Sequence, residues 1–222
     1  MEHDDLHSLA ENVDGPTVSA LKTLSRRYGI YLAAGFIERK DGHIYNSISF
    51  STPTGDVAIY RKRHLIFWEH FYFRHGQDPL ILETDFGRIG FAVCADMMYS
   101  HVWSEYRDKI DLAIICAAWP RRTAQTGLRV GWMLEPSWSL AGEIPSRIAR
   151  GLGINVVFAN HCGPCHVRIP HLGKATPAAF AARSGIFNQH GFRKTIESDV
   201  EEISLDTIDI PEERLPCVTL SA

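Results

Sequence analysis

Among the residues of this 222-residue chain, Cys94 offers the clearest chemistry. It closes the apolar run Ile89-Gly90-Phe91-Ala92-Val93 and stands just before a segment with helical character from Met97. A thiolate at such a place is stabilised by the helix N-terminus and by a neighbouring cation, and strand ends carry the reactive groups of α/β folds. The plainer alternative is a small buried core residue, because free cysteine is among the most buried types. A cation and a carboxylate precede it. Lys62 lies in Tyr60-Arg61-Lys62-Arg63-His64-Leu65, 32 residues before Cys94, and Glu69 follows Lys62 by seven. Taken alone, a basic cluster of this kind is a solvated turn.

A second cluster, His161-Cys162-Gly163-Pro164-Cys165-His166, combines the spacings of a c-type haem attachment, a thioredoxin-like redox site and a zinc site. Its context fits none of them well. It follows a late strand and runs into Val167-Arg168-Ile169-Pro170 rather than opening a helix, and its two thiols and two imidazoles within six residues are cramped for one zinc ion. The plain reading is an ordinary loop, with a zinc- or redox-responsive role for Cys162 and Cys165 as the alternative. Cys116 and Cys217 read as core and tail residues.

These residues depend on the elements around them. Asp14-Gly15-Pro16-Thr17, the three-residue spacing of Val18, Leu21 and Leu24, and Gly29 predict an amphipathic helix with its start and stop. Ile30–Ile37 and Tyr45–Ser51 predict two strands joined at Asp41-Gly42, and Val57–Tyr60 a short strand leading into the Lys62 cluster. Strands are expected at Leu80–Leu82, Arg88–Val93, Asp111–Ala117 and Ile154–Ala159, with helices at Met97–Arg107 and Glu143–Leu152 and a Trp-, Arg- and Gly-rich loop before the second helix. Further strands are expected at Ala179–Asn188, Phe192–Ile196 and Thr207–Ile210. Strands alternating with helices and mixed with hairpins predict an α/β protein in one domain, residues 1–222, with a mixed sheet or two sheets covered by helices.

Composition narrows the partners. With 45% hydrophobic and 22% charged residues and a net charge of −3, the chain is of ordinary globular composition and lacks the basic run that nucleic acid or an anionic membrane would select. The odd count of 5 cysteines argues for reduced thiols rather than a disulfide framework. An acidic start and a longest uncharged apolar run of only Leu112–Pro120 predict a cytoplasmic protein, and a small molecule is the expected partner.

The order Tyr45-Asn46-Ser47, Gly55, Tyr60-Arg61-Lys62-Arg63-His64-Leu65, Glu69, Phe86-Gly87-Arg88-Ile89-Gly90 and Cys94-Ala95-Asp96 resembles the nitrilase superfamily of carbon–nitrogen hydrolases. The likeness continues through Asp111-Leu112, Ala118-Trp119-Pro120, Ile144-Pro145 with Arg147 and Ala149-Arg150, Asn160, and Ser184-Gly185-Ile186-Phe187 before Gly191. It implies an α-β-β-α sandwich and a homo-oligomer. Its chemistry is amide or nitrile cleavage by a Glu–Lys–Cys triad, without metal or organic cofactor. In that pattern Cys94 is the nucleophile, Lys62 the cation at the oxyanion, Glu69 the helper glutamate and Ala95 a donor through its backbone N–H. Trp119 stands on the substrate rim, with a buried core tryptophan as the equal alternative. Nitrile cleavers of the family carry Trp then Glu after the cysteine, so Ala95-Asp96 points to a small amide or carbamoyl substrate.

The resemblance departs at one place. The family's general-base glutamate sits in a Pro-Glu pair at the end of an early strand, and no Pro-Glu pair stands upstream of Lys62. His7 to Gly35 is similar to the family's second helix and third strand, so the first strands and first helix are expected to be lacking here. Glu38 corresponds to a glutamate outside the triad. Three expectations follow: an active hydrolase whose base lies upstream of this sequence, a catalytically inactive homologue acting as a scaffold or binding protein, or Glu69 acting as base. The third ranks last, because a carboxylate beside an ammonium is a weaker base.

Overall fold

The computed structural model of the protein describes residues 3–121, 123, 137–167, 176–191, 194–196 and 200–210. Most of the Trp-, Arg- and Gly-rich loop, Arg168-Ile169-Pro170, Phe192 and Cys217 lie outside the described residues. α1 (His3–Leu9) precedes α2 (Pro16–Tyr28). Pro16 starts α2 with its fixed φ, and Gly29 stops it at φ 64°, the left-handed conformation that glycine adopts at little cost. The chain then runs through β1 (Leu32–Lys40), β2 (His43–Ser51) and β3 (Val57–Arg61), an antiparallel sheet in the order β1-β2-β3.

A short 3-10 turn at Phe67–Phe71 separates this sheet from β4 (Ile81–Thr84) and β5 (Gly87–Val93). A second 3-10 turn, Cys94–Met98, and α3 (Ser100–Tyr106) lead to β6 (Leu112–Ala117) and β7 (Pro120–Arg121). After α4 (Ser137–Leu152) come β8 (Asn155–Asn160), β9 (Pro164–Val167), β10 (Thr176–Phe180), β11 (Gly185–Phe187) and β12 (Lys194–Thr195). The larger sheet has the order β12-β11-β8-β6-β5-β4, with β5, β6 and β8 parallel and the flanking pairs antiparallel. A third small sheet, β7-β10-β9, lies beyond the end of β6.

The two main sheets pack face to face. Ile48, Phe50 and Tyr60 from the first share one core with Ile89, Phe91, Ala113 and Ile115 from the second. The Phe50 and Phe91 rings meet edge to face at 5.3 Å across the interface. On the outer face of the larger sheet, Val102, Trp103 and Tyr106 of α3 and Ala141, Ile148 and Ala149 of α4 complete that core. On the other side, α2 packs against the first sheet and buries Val18 and Ser25, whose hydroxyl donates to the Ser51 carbonyl at 3.2 Å. The layers are therefore α-β-β-α, as the resemblance implied.

Three expectations about elements need correction. Ala179–Asn188 is not one strand: consecutive left-handed residues Ala182 (φ 51°) and Arg183 (φ 57°) break it into β10 and β11, which join different sheets. Thr207–Ile210 forms no strand; it lies extended along the larger sheet, with Ile208 on the core and the Asp209 carbonyl accepting from Asn155 Nδ2 at 3.2 Å. The helix expected from Glu143 starts at Ser137 and carries Pro145 in its interior. Among the described residues no helix is long and apolar enough to cross a membrane.

Candidate active site

The parallel strands β5, β6 and β8 end together, and Cys94 is the first residue after β5. It adopts φ 48°, a region in which a side chain with a Cβ is strained by about 1–3 kcal/mol. The sharp turn between a buried strand and the 3-10 turn requires this. Cys94 is buried and lines a cavity of about 1480 Å³ between the two sheets. Burial pushes its thiol above the usual range. The Lys62 ammonium and a main-chain hydrogen bond from Ala118 pull it back, while the Glu69 and Asp96 carboxylates push it further up.

Lys62 follows β3 and is fixed at both main-chain groups. Its N–H donates to the Asn46 carbonyl at 2.8 Å, and its carbonyl accepts from the Gly76 N–H at 2.7 Å. Gly76 is required there, since a Cβ would fall 2.4 Å from the Arg61 carbonyl oxygen. The Lys62 side chain is only 1% exposed and is paired with Glu69, itself 7% exposed. Glu69 also accepts from the Ile66 N–H at 2.9 Å and from Asn46 Nδ2 at 3.2 Å. The Glu69 carboxylate reaches the cavity wall with its oxygens already engaged.

The structure thus brings Cys94, Lys62 and Glu69 together and couples their charges. Ala95 is buried in the turn that begins at Cys94. Trp119 is buried in the core, while its neighbours Ala118 and Pro120 face the cavity. Asn160 fixes that segment: its Oδ1 accepts from the Trp119 N–H at 2.8 Å and its Nδ2 donates to the Ala182 carbonyl at 2.8 Å. Ala118 and Asn46 are neighbours of Cys94 and Glu69 that residue types alone do not disclose. The first acts through its main chain, the second by orienting Glu69, and only their places in Ala118-Trp119-Pro120 and Tyr45-Asn46-Ser47 mark them.

Glu38 is fully buried near the end of β1, where it accepts from Ser47 Oγ at 2.8 Å and Arg61 Nε at 2.7 Å. It is a structural carboxylate. The carboxylates that line the cavity among the described residues are Glu69, Glu201 and Glu202. His161, Cys162, Cys165 and His166 also line it, yet no group of three or more His, Cys, Asp or Glu among the described residues is arranged to hold a metal ion. Burial raises the Cys165 thiol, the opposite of what an attacking redox cysteine needs. Cys165 lies in strand β9, paired with Ala178, and opens no helix.

Comparisons with known proteins bear on family and fold. A family model described as carbon-nitrogen hydrolase matches residues 1–166. A probable nitrilase of Schizosaccharomyces pombe is 31% identical over 111 residues, covering 48% of this chain and 41% of its own length. An omega-amidase of Danio rerio is 28% identical over 111 residues, covering 45% and 40%. The matches thus span under half the length of these curated relatives. A CN-hydrolase superfamily protein from Xanthomonas campestris, with an arsenic adduct in its active site, superposes with a TM-score of 0.68 at 23% identity, covering 90% of this chain and 71% of its own. The amidase from Nesterenkonia sp. AN1 in complex with butyramide superposes with a TM-score of 0.60 at 19% identity, covering 80% and 60%. With a family model spanning three quarters of its sequence and the matching fold, the chain belongs to the carbon-nitrogen hydrolase family.

Proposed function

We propose that the protein is a thiol-dependent hydrolase of a small amide or carbamoyl compound, working through an acyl-cysteine intermediate. The observation that carries this reading is Cys94, held at a strained strand end in a cavity, with the buried Lys62–Glu69 pair close enough to shift its ionisation. The Cys94 sulfur attacks the amide carbon, the C=O π electrons move to oxygen to give a tetrahedral intermediate, and the Lys62 ammonium stabilises the resulting oxyanion. The C–N bond then breaks and ammonia or an amine leaves with the thiol proton. Water hydrolyses the thioester and returns the thiol. Each oxyanion donor contributes roughly 3 kcal/mol in such sites, and the Ala95 backbone N–H is assigned as the second donor.

A thiol held above its usual range needs a base to take its proton. Glu69 already accepts from Lys62, Ile66 and Asn46, so it serves to hold Lys62, and we assign the base to a carboxylate other than Glu69. The amide preference is supported by Ala95-Asp96 after the nucleophile and by relatives named citrullinase and omega-amidase. Acrylamide added to the active site cysteine of the Nesterenkonia amidase supports the thiol chemistry. A cytoplasmic location and homo-oligomeric assembly belong to the same reading. The assembly is supported by β1, whose Ala33 and Gly35 main-chain groups point to an outer edge that, among the described residues, Glu11 covers only at Ile37 and Arg39.

The test is ammonia release from a panel of primary amides and carbamoyl compounds, by this chain and by a form extended upstream, each with its Cys94→Ala variant. Release that depends on Cys94 in either form supports the hydrolase. If neither form releases ammonia, the second reading holds: an inactive homologue acting as a scaffold or binding protein. The engagement of Glu69 with Lys62, Ile66 and Asn46 is the observation that supports that reading.

A further inference from the structure

Asp96 is wholly buried two residues after Cys94, and its carboxylate collects donors from both halves of the site. Oδ2 accepts from Tyr60 Oη at 2.9 Å and from the Val93 N–H at 3.0 Å. Oδ1 accepts from the Arg63 N–H at 3.2 Å, the His64 N–H at 2.8 Å and His64 Nδ1 at 2.9 Å. Val93 immediately precedes Cys94 and Arg63 immediately follows Lys62. One buried carboxylate therefore ties the nucleophile turn to the segment carrying the lysine. Satisfied networks of this kind impose a single geometry, and a partner left unpaired in them is costly.

The tie extends to the surface through His64. Its ring stacks on Tyr99 at 4.0 Å, and its Nε2 lies 2.8 Å from His101 Nε2, near the start of α3. Two imidazole nitrogens at this distance need one proton between them. With His64 Nδ1 donating to Asp96, His101 Nε2–H donates to His64 Nε2. One added proton is accommodated on His101 Nδ1, which leaves the chain intact. A second sets two N–H groups against each other and breaks it. The other charged or titratable groups around the pair are Asp96, Tyr99, the buried Tyr60 phenol, and Arg63 with Glu105, joined by bonds of 2.8 and 2.9 Å.

We infer that Asp96 and His64 are positioning residues that set Lys62 against Cys94, and that the His64–His101 contact makes this alignment pH-sensitive. The inference rests on the reading of Cys94 as the nucleophile. It assigns no contact with substrate to Asp96 or His64. When both imidazoles are protonated, the link from α3 is lost and the segment after Lys62 is held less firmly.

The experiment measures iodoacetamide alkylation of Cys94, resolved from the other cysteines by peptide mass spectrometry, from pH 5.5 to 8.5. Wild type is compared with His101→Gln, His64→Asn and His64→Ala. His101→Gln, whose amide donates to His64 Nε2 and does not titrate, is expected to match wild type at pH 7.5, while His64→Asn keeps only the donor to Asp96 and serves as the conservative control for His64→Ala. At pH 5.5 His101→Gln should exceed wild type at least threefold, because a glutamine amide can turn to donate to His64 Nε2 or accept from it, whereas two protonated imidazoles cannot face each other at 2.8 Å. His64→Ala, which removes the donor to Asp96, should change the Cys94 rate about tenfold or more at every pH, a displacement effect that the conservative His64→Asn reverses. A ratio of wild type to His101→Gln that stays constant with pH, or a His64→Ala profile equal to wild type, overturns the inference. Absence of Cys94 alkylation at any pH in wild type would instead overturn the nucleophile reading beneath it. His101 is at the surface, so its variant keeps the test decisive even where a change at Asp96 prevents folding.

Discussion

Lys62 and Glu69 form an ion pair inside the protein, with the ammonium 1% and the carboxylate-bearing residue 7% exposed. The pair sits where the first sheet hands the chain to the cavity, and its charge acts on Cys94 from one side of the strand end. Its energetics differ from those of a surface pair, because removing one partner leaves the other charge without compensation.

Lys62→Met and Glu69→Gln are therefore each expected to destabilise the fold by about 3–5 kcal/mol, and the double variant by less than the sum. Urea unfolding of the three variants checks this. Additive losses would show that the two side chains do not interact as the structure has them.

The same pair moves the Cys94 thiol in opposite directions. Lys62 lowers it and Glu69 raises it. Lys62→Met should shift the pH profile of Cys94 alkylation to higher pH, and Glu69→Gln should shift it to lower pH. Peptide-resolved alkylation rates measure both shifts, and a common direction for the two variants would contradict the assignment.

Alkaline stability follows from Cys116, whose thiol burial pushes up to about 12. In the unfolded chain this thiol ionises near its ordinary value of about 8.5. Between those values the unfolded state binds fewer protons than the folded one, so stability falls as pH rises. The contribution is complete below the unfolded value and is lost progressively up to the folded one. Cys116→Ala should cost stability at pH 7 through the lost packing, yet show a shallower decline from pH 8.5 to 11. Equal slopes for the two proteins in thermal melts would contradict this.

Gly76→Ala tests the clamp on Lys62. The added methyl would meet the Arg61 carbonyl at 2.4 Å, so the loop must move and lengthen the bond from the Gly76 N–H to the Lys62 carbonyl. A loss of about 1–3 kcal/mol is expected, together with slower Cys94 alkylation. An unchanged melting temperature and rate would show that the loop does not hold Lys62.

How far the sequence reveals this site depends on the kind of interaction involved. Cys94 and Lys62 are legible because a strand end and an ordered motif mark them, and α2 is legible because Pro16 and Gly29 punctuate an amphipathic stretch. The Asp96 network is not, because three of its donors are main-chain N–H groups whose direction only the fold sets. Trp119 shows the same limit: the motif leaves rim and core equally open, while the bonds of Asn160 turn Ala118 and Pro120 to the cavity and the indole to the core. The break at Ala182 and Arg183 was hidden because neither residue type favours the left-handed conformation, and the surrounding apolar run reads as one strand.

The most direct test of the account is the mass of the Cys94 peptide after incubation with a primary amide, read alongside ammonia release. The account predicts an acyl mass on Cys94 that appears with ammonia, and the loss of both in Cys94→Ala. Ammonia release that survives Cys94→Ala, or turnover with the acyl group on another residue, would contradict it.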